Sequence, residues 1–242
     1  MSLPIQSEEV DPGRFHHPER AGSLPGLVFV HDVWGLGPHS FDLSRDLASE
    51  GFAVLEVDLY RDLAGPPTGH PGAFIRSLSD PRVLSDLEAG ADWLAGQSIC
   101  RGRKIGIVGV CMGGTYALLA ACLSDRFSAA APFYGILSYE TGMLADPEGR
   151  DREKKPHSPI EVAGRLRVPL RASFGLEDEF VPVSDVDALE AALAGAGPRF
   201  FVDRHAGAGH AFLNKTRPDA YRREASEKAW ERVIPFLHAE LD

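Results

Sequence analysis

The sequence predicts an α/β fold, in which a mostly parallel, doubly wound sheet carries helices on both faces. Short apolar runs rich in β-branched residues alternate with longer amphipathic segments along the 242 residues. This alternation is typical of parallel strands joined by right-handed helical crossovers. The segment from Lys104 to Ala121 begins with a short apolar run rich in β-branched residues, as expected for a buried strand. Thr115 to Leu123 is then apolar on nearly every side, as expected for a helix packed inside the domain. We find no repeat and no linker, so we expect a single domain over residues 1–242.

The elements of the N-terminal half follow from their apolar runs and from the glycines and prolines that bound these runs. Residues 1–24 are polar and contain three prolines, so we expect at most a marginal edge strand there. In chain order the predicted elements are that edge strand at Val10 to Phe15, a buried strand at Leu27 to Val30, an amphipathic helix at Phe41 to Glu50 that Gly51 ends, a strand at Phe52 to Leu59, an irregular loop at Arg61 to Gly72 and a helix at Pro81 to Leu94.

The C-terminal half continues the alternation around one polar segment. Its predicted elements are strands at Ile105 to Val110, Phe127 to Tyr134, Val168 to Phe174 and Arg199 to Val202, and helices at Thr115 to Leu123, Val183 to Ala194 and Tyr221 to Leu237. Residues 138–165 are charged, contain prolines and offer few apolar anchors. This composition suits either a lid over a site or a solvated surface insertion.

A sharp turn is expected between the central strand and its helix, at Gly109-Val110-Cys111-Met112-Gly113-Gly114. A strand that reverses into a helix within about three residues needs positive φ at its apex and no Cβ on either side. The pattern is the G-x-nucleophile-x-G elbow of the α/β-hydrolases with cysteine in place of serine. Cys111 would then stand at the positive end of the helix, where a thiolate is favoured. The alternative is a glycine-rich turn with a buried, unreactive thiol.

Composition excludes several classes of protein. The net charge is -10 and the isoelectric point is near 5.4, and no Lys/Arg block occurs, so we expect no nucleic-acid partner and no anionic membrane surface. No apolar run approaches the ~20 residues of a membrane span, and we see no signal peptide. Cys111 and Cys122 would lie about 16 Å apart along one helix, which excludes a disulfide between them. We therefore expect reduced thiols and a cytoplasmic location.

A thiol nucleophile needs a base, and the base needs an acid that orients it. The strand at Val168 to Phe174 runs into an acidic loop, in which spacing alone does not choose among Glu177, Asp178 and Glu179. The next strand runs into a loop with two histidines. His210, which lies among glycines, is a better base than His205, which lies nearer the strand end. The order nucleophile, acid, histidine is that of the α/β-hydrolases.

Three motifs together resemble the dienelactone hydrolase family, whose members are also called carboxymethylenebutenolidases. The motifs are Gly-Val-Cys111-Met-Gly-Gly, Gly-Leu-Glu-Asp178-Glu-Phe-Val-Pro and Ala-Gly-His210-Ala-Phe. The similarity runs from about Leu27 to the final helix. It implies an α/β-hydrolase fold and a Cys-Asp-His triad of Cys111, Asp178 and His210.

The resemblance extends to the loop after the first core strand. In the family this loop carries a glutamate that interacts with the resting nucleophile, beside a backbone N–H of the oxyanion hole. The match here implies an acid at Asp32 and oxyanion donors at the amides of Val33 and Met112. Asp32 is one methylene shorter than glutamate, and its alternative role is to cap the turn. Trp34 is either a pocket wall or a core residue.

The remaining polar residues of these loops do not extend the resemblance. We interpret His31 and His39 as ordinary loop histidines. The family binds a substrate carboxylate through arginines, whereas Asn214 stands at one arginine position here and Arg76 is only the nearest candidate for another. A carboxylate-bearing substrate is therefore not supported by the sequence.

The sequence thus predicts hydrolysis of a small-molecule ester or lactone through a cysteine nucleophile. The histidines occur in no metal-ligand spacing, so we expect neither a metal nor another cofactor, and a monomer or a small homo-oligomer. Two alternatives remain on the same scaffold: a general carboxylesterase, and a non-catalytic ligand-binding protein that has lost turnover. A redox-sensing thiol is less favoured because no resolving cysteine is evident.

Overall fold

The computed structural model describes residues 3–19, 22–63 and 69–242. Its strands are β1 (Ile5–Val10), β2 (Gly13–Pro18), β3 (Gly26–Val30), β4 (Ala53–Val57), β5 (Ile105–Val110), β6 (Ala130–Phe133), β7 (Leu170–Gly175) and β8 (Phe200–His205). Its helices are α1 (Pro38–Ser49), α2 (Pro71–Ser77), α3 (Asp80–Gly96), α4 (Met112–Leu123), α5 (Pro159–Val162), α6 (Val183–Leu193) and α7 (Arg223–Leu241).

All eight strands join one sheet in the order β1-β2-β4-β3-β5-β6-β7-β8. The strands from β3 to β8 pair in parallel, while β1 and β2 form an antiparallel hairpin on the edge. The predicted α/β-hydrolase fold, with its mostly parallel sheet, is therefore confirmed. Because the parallel strands point the same way, the loops after β3, β5, β7 and β8 reach one edge of the sheet.

Alternate residues of each central strand pack against opposite layers of helices. In β3, Val28 and Val30 join the core under α3 and α4, whereas Leu27 and Phe29 join the core under α1 and α7. Side chains point alternately to the two faces of a strand, so a strand covered on both faces is apolar throughout. This is why the central strands were recognisable as continuous apolar runs.

The N-terminal segment differs from its prediction. Instead of one marginal strand at Val10 to Phe15, two six-residue strands form a hairpin. β2 is polar in sequence, yet its Arg14 and His16 contact the fully buried Glu56 of β4, with an Arg14 Nη2 to Oε2 distance of 2.5 Å. Charged and polar side chains of two strands thus pair inside the sheet, and apolar periodicity cannot reveal such a pairing.

Two predicted boundaries also change. Helix α4 begins at Met112, three residues before the predicted Thr115, because the elbow passes directly into the helix. The predicted loop from Arg61 to Gly72 contains residues 64–68, which lie outside the described residues, and it ends in the short helix α2. Across the described ranges, no helix combines the length and the apolar character needed to cross a membrane.

The polar segment 138–165 is attached to the body at a buried ion pair. Lys155 is 2% exposed, and its Nζ lies 2.5 Å from Asp80 Oδ1 and 3.0 Å from the Tyr116 hydroxyl oxygen. Tyr139 and Leu144 are buried as well. A buried ammonium persists only when it is paired and hydrogen-bonded, so this charged segment has anchors that its composition does not suggest.

Candidate active site

Cys111 occupies the apex of a strained turn between β5 and α4. Its φ of 55° and ψ of -120° lie in a region that non-glycine residues rarely adopt. Its amide donates to Phe133 O of β6 at 3.1 Å, and its carbonyl accepts from Thr115 N of α4 at 3.1 Å. Hydrogen bonds to a neighbouring strand and to the following helix therefore hold the turn. The residue is 8% exposed, at the N-terminus of a twelve-residue helix whose dipole favours negative charge there.

Glycines allow this turn because backbone segments pass each other closely. A Cβ on Gly113 would lie 2.1 Å from Val30 O, and one on Gly109 would lie 2.0 Å from Gly113 O. Both contacts are with backbone atoms, which cannot rotate away as a side chain does. The elbow thus needs glycine on both sides of the cysteine.

We expect Gly113→Ala to lower the free energy of unfolding by about 3 kcal/mol, near the upper end for overpacking, because β3 would have to move away from α4. Urea unfolding measures the change. Gly96→Ala is the matched control, since nothing lies within 4 Å of its added Cβ, and its stability should stay within about 1 kcal/mol of the parent. Equal midpoints for the two variants would contradict a tight elbow.

Asp178 and His210 meet at the same edge of the sheet. Asp178 Oδ2 lies 2.9 Å from His210 Nδ1, while Oδ1 accepts from the amides of Phe180 at 2.8 Å and Val181 at 3.1 Å. The carboxylate is therefore held by two backbone N–H groups and presents its second oxygen to the imidazole. Of the three acids that spacing left open, Asp178 is buried, whereas Glu177 and Glu179 are exposed.

The other nitrogen of His210 faces Cys111. His210 Nε2 is buried. Burial alone would lower the pKa of His210, but the charge of Cys111, hydrogen bonds with Asp178 and Cys111, and the charge of Asp178 raise it to about 10. The protonated form of His210 is therefore favoured at neutral pH.

The loop after β3 carries the Val33 amide, and the elbow itself carries the Met112 amide. Neither Val33 N nor Met112 N donates to another backbone group within the described part of the chain. Tyr60 joins the two segments, because its hydroxyl donates to Val33 O at 2.9 Å and lies 3.5 Å from Met112 Sδ. Free, fixed N–H groups at this position are what an oxyanion hole requires.

Asp32 caps the turn that follows it. Its Oδ1 accepts from Trp34 N at 2.8 Å, and no hydrogen bond to Cys111 is found among the described residues. Burial raises the pKa of Asp32, and the charges of His210 and Arg217 oppose that rise. The carboxylate therefore influences the site through charge while it shapes the loop. Trp34 is 51% exposed, so it is not a core residue.

The remaining histidines lie outside this cluster. His31 is buried: Leu59 N donates to its Nε2 at 3.3 Å and its Nδ1 donates to Asp32 O at 2.6 Å, so it supports the loop. His39 belongs to helix α1 rather than to a loop, which corrects the prediction, and burial lowers its pKa to about 4. His205 is the last residue of β8, and among the described residues it is His210 that hydrogen-bonds to Asp178.

Three residues near the site were not identified from the sequence. Tyr60 bridges the candidate oxyanion donors. Tyr134, with a φ of 38°, is fully buried and packs edge-on to His210 at 5.2 Å between ring centroids, and Phe180 packs on the same ring at 5.0 Å. Tyr134 directly follows β6, and Tyr60 lies three residues after the end of β4. This position on the ligand-binding edge is the signal that would have found them.

The structure also shows where the arginines that could bind a substrate carboxylate lie. Arg76 donates to Met143 O at 3.2 Å and pairs with Asp146, so its guanidinium is engaged within the polar segment. Arg217 was not predicted from the sequence. Its charge lowers the pKa of Asp32, and its side chain is about half exposed. It lies seven residues after His210, beyond the position that Asn214 occupies.

Comparison with known proteins identifies relatives over most of the chain. The chain is 28% identical to a protein named "Putative carboxymethylenebutenolidase" from Salmonella typhimurium, over 98% of this chain and 85% of that protein. It is 28% identical to a "Probable 2-oxo-3-(5-oxofuran-2-ylidene)propanoate lactonase" from Bradyrhizobium sp, over 93% and 87% of the two chains. The crystal structure of a "Putative Dienelactone Hydrolase" from Klebsiella pneumoniae superposes with a TM-score of 0.84 at 26% identity, covering 98% of this chain and 99% of that chain.

The family model named "Dienelactone hydrolase family" matches residues 12–241. This match spans strands β2 to β8, the elbow and the loops that carry Asp178 and His210. The resemblance inferred from three short motifs therefore extends over nearly the whole chain. The protein belongs to the dienelactone hydrolase family.

Proposed function

We propose that the protein hydrolyses a small-molecule ester or lactone through a thioester on Cys111. The observation that carries the proposal is the convergence of three groups on one sheet edge. These are a strained thiol at a helix N-terminus, an imidazole whose pKa responds to that thiol, and a carboxylate 2.9 Å from the imidazole. A nucleophile, a base and an orienting acid in contact are the requirement for covalent catalysis.

Acylation begins from the thiolate–imidazolium pair. The Cys111 thiolate attacks the carbonyl carbon, and the carbonyl oxygen becomes an oxyanion that accepts from the amides of Val33 and Met112. Each such donor is typically worth about 2.7 to 4 kcal/mol. When the adduct collapses, the C–O bond breaks and the alkoxide takes a proton from His210 Nε2. In a lactone this alcohol stays attached to the acyl group.

Deacylation uses the change in charge that acylation produces. The charge of Cys111 is the first of the influences that raise the pKa of His210, and a thioester carries no such charge. The pKa of His210 therefore falls once the acyl group is attached, and the neutral imidazole takes a proton from water. The resulting hydroxide attacks the thioester, the C–S bond breaks, and the thiolate–imidazolium pair returns.

Esters and lactones suit this chemistry better than amides. A thiolate is a better leaving group than an amine, so the tetrahedral adduct of an amide would tend to collapse back to the substrate. Trp34 and Phe180 are 51% and 39% exposed and offer apolar surface on the loops of the site. The name of the Bradyrhizobium relative refers to a lactonase, which supports a lactone as the substrate class.

Alkylation by iodoacetamide should single out Cys111. Burial raises the pKa of both Cys100 and Cys122 to about 12, and these residues are 1% and 0% exposed. Their thiolates are therefore scarce at pH 8, so we expect Cys111 to react at least about 100-fold faster. Peptide mass spectrometry of the folded protein measures this ratio. Equal labelling of Cys100 and Cys111, with no ester cleaved, would favour the non-catalytic alternative.

Substrate profiling separates the remaining alternatives. The wild type and Cys111→Ser would be assayed on p-nitrophenyl esters of increasing acyl length and on five- and six-membered lactones. Lactone turnover with a higher kcat/KM than that of any simple ester supports the proposed activity. Turnover of short esters without lactone hydrolysis would instead identify a general carboxylesterase on this scaffold.

A further inference from the structure

The loop after β3 contains a tight turn from Asp32 to Gly35. Gly35 N donates to Asp32 O at 3.2 Å, which closes the turn. Its two central residues are Val33 and Trp34. Val33 carries one of the two amides that the proposed hydrolysis uses, so the contacts of the peptide groups on either side of Val33 decide where that N–H points.

Side chains bind three of the four polar atoms in these two peptide groups. Asp32 O lies 2.6 Å from His31 Nδ1, Val33 O accepts from the Tyr60 hydroxyl at 2.9 Å, and Trp34 N donates to the Asp32 carboxylate at 2.8 Å. The fourth atom, Val33 N, donates to no acceptor among the described residues. In a planar trans peptide the N–H points opposite to the C=O of the same group. A side chain that holds Asp32 O therefore also sets the direction of the Val33 N–H.

The hydrogen bonds of His31 fix its tautomer. Leu59 N donates to His31 Nε2 at 3.3 Å, so the proton of the neutral ring is on Nδ1, where it is donated to Asp32 O. Burial lowers the pKa of His31, whose side chain has no exposed surface. The ring therefore stays neutral and connects the loop after β4 to the turn after β3.

Tyr60 contacts both residues that carry the candidate oxyanion donors. Its hydroxyl donates to Val33 O and lies 3.5 Å from Met112 Sδ. Its ring packs edge-on against His31 and Phe74, with centroid distances of 4.8 and 5.1 Å. Tyr60 is 5% exposed, so packing on several sides limits the movement of its hydroxyl.

We propose that His31 and Tyr60 are positioning residues that hold the Val33 N–H toward the oxyanion. This inference rests on the proposed hydrolysis through Cys111. Neither side chain touches the reacting atoms; each acts through a backbone carbonyl of the turn. A donor that is already fixed needs no reorganisation when charge develops in the transition state, and a displacement of about 1 Å can cost about 100-fold in rate.

Tyr60→Phe tests the proposal because it removes only the hydroxyl. We expect kcat for p-nitrophenyl acetate to fall about 10-fold with KM within about 2-fold of the wild type, because the oxyanion forms after the substrate binds. The loss is smaller than the ~10² to 10³-fold of removing an oxyanion donor outright. Tyr116→Phe is the matched control, since it also removes a buried hydroxyl, one that accepts from Lys155 Nζ at 3.0 Å. Its kcat should stay within about 2-fold of the wild type.

Two substitutions of His31 add a rescue experiment. His31→Leu removes the donor to Asp32 O and should lower kcat about 10-fold or more. His31→Asn places an amide nitrogen where Nδ1 stood, so the donor to Asp32 O is kept while the acceptor for Leu59 N is lost. It should recover kcat to within about 3-fold of the wild type. Thermal unfolding verifies that each variant is folded, and Tyr60→Phe decides the question where His31→Leu is not.

The reactivity of Cys111 distinguishes a positioning role from a general disturbance of the site. Iodoacetamide should label Cys111 of Tyr60→Phe within about 2-fold of the wild-type rate, because the thiolate depends on His210 and not on the turn. A labelling rate that falls as much as kcat would overturn the proposal. So would equal kcat values for Tyr60→Phe and Tyr116→Phe.

NMR relaxation of the Val33 amide provides a readout that needs no turnover. Its order parameter should be near 0.85 in the wild type, as for rigid backbone, lower in Tyr60→Phe and unchanged in Tyr116→Phe. A wild type that shows this pattern but cleaves no ester or lactone would contradict the proposed function and still support the role of Tyr60 in holding the turn. A Val33 amide as rigid in Tyr60→Phe as in the wild type would overturn the positioning role.

Discussion

Replacing Cys111 with alanine is expected to reduce kcat for ester or lactone hydrolysis by about 10⁴-fold or more, as loss of a nucleophile does in comparable triads. The proposed reaction forms its covalent bond to this sulfur, and no other described thiol is at the elbow. Hydrolysis of a p-nitrophenyl ester or a lactone measures the loss. Cys100→Ala is the matched control, since it also removes a buried thiol and should change stability rather than kcat.

The same variant should change the titration of His210. In the wild type the pKa of His210 is raised from 6.5 to about 10, so the protonated form favours folding. That contribution is complete below pH 6.5 and is lost as the pH rises through about 10. Without the charge of Cys111, the pKa should fall. NMR observation of the ring measures both values, and an unchanged His210 pKa with full activity would contradict a thiolate–imidazolium pair.

Asp178→Asn is expected to lower kcat by about 10² to 10⁴-fold with little change in overall structure, the upper figure being that of serine-protease triads. The amides of Phe180 and Val181 both donate to Oδ1, so the asparagine oxygen must stay there. Its NH₂ group then faces His210 Nδ1. A donor in that place forces the ring into the tautomer with the proton on Nε2, which cannot accept the proton of Cys111 or of water.

Glu179→Gln is the control for this substitution, because it removes a carboxylate from the same loop at an exposed position. Its kcat should remain within about 2-fold of the parent, in keeping with the small effect of exposed charges. The pH dependence of kcat/KM distinguishes orientation from folding, since Asp178→Asn should also lower the pKa of His210. Equal losses in Asp178→Asn and Glu179→Gln would contradict the proposed pairing of Asp178 with His210.

The central elements could be predicted because their residues are buried on both faces. Strands β3 and β5 and helix α4 are continuous apolar segments, so no partner outside the segment is needed to recognise them. The hairpin of β1 and β2 is not a continuous apolar segment and was not predicted. Its Arg14 and His16 instead contact Glu56 of the neighbouring strand β4. Such cross-strand polar pairs leave no periodic pattern.

The candidate site was predicted unevenly for a related reason. Cys111 is marked by the glycines that its backbone requires, and Asp178 and His210 by the loops that follow β7 and β8. Tyr60 belongs to the site only because its hydroxyl bridges Val33 and Met112. That contact depends on two loops meeting in space, and neither local spacing nor composition records it.

The amino-acid sequence by itself determined the α/β fold class, the elbow around Cys111 and the order of nucleophile, acid and histidine, since local backbone sterics and the alternation of apolar segments are written along the chain. Spacing along the chain left Glu177, Asp178 and Glu179 open, and the family resemblance favoured Asp178. The tertiary structure brings the Asp178 carboxylate to His210 and shows that Asp32 caps its turn. These outcomes depend on which side chains the packed sheet brings within a few ångströms, and this is a property of the folded chain.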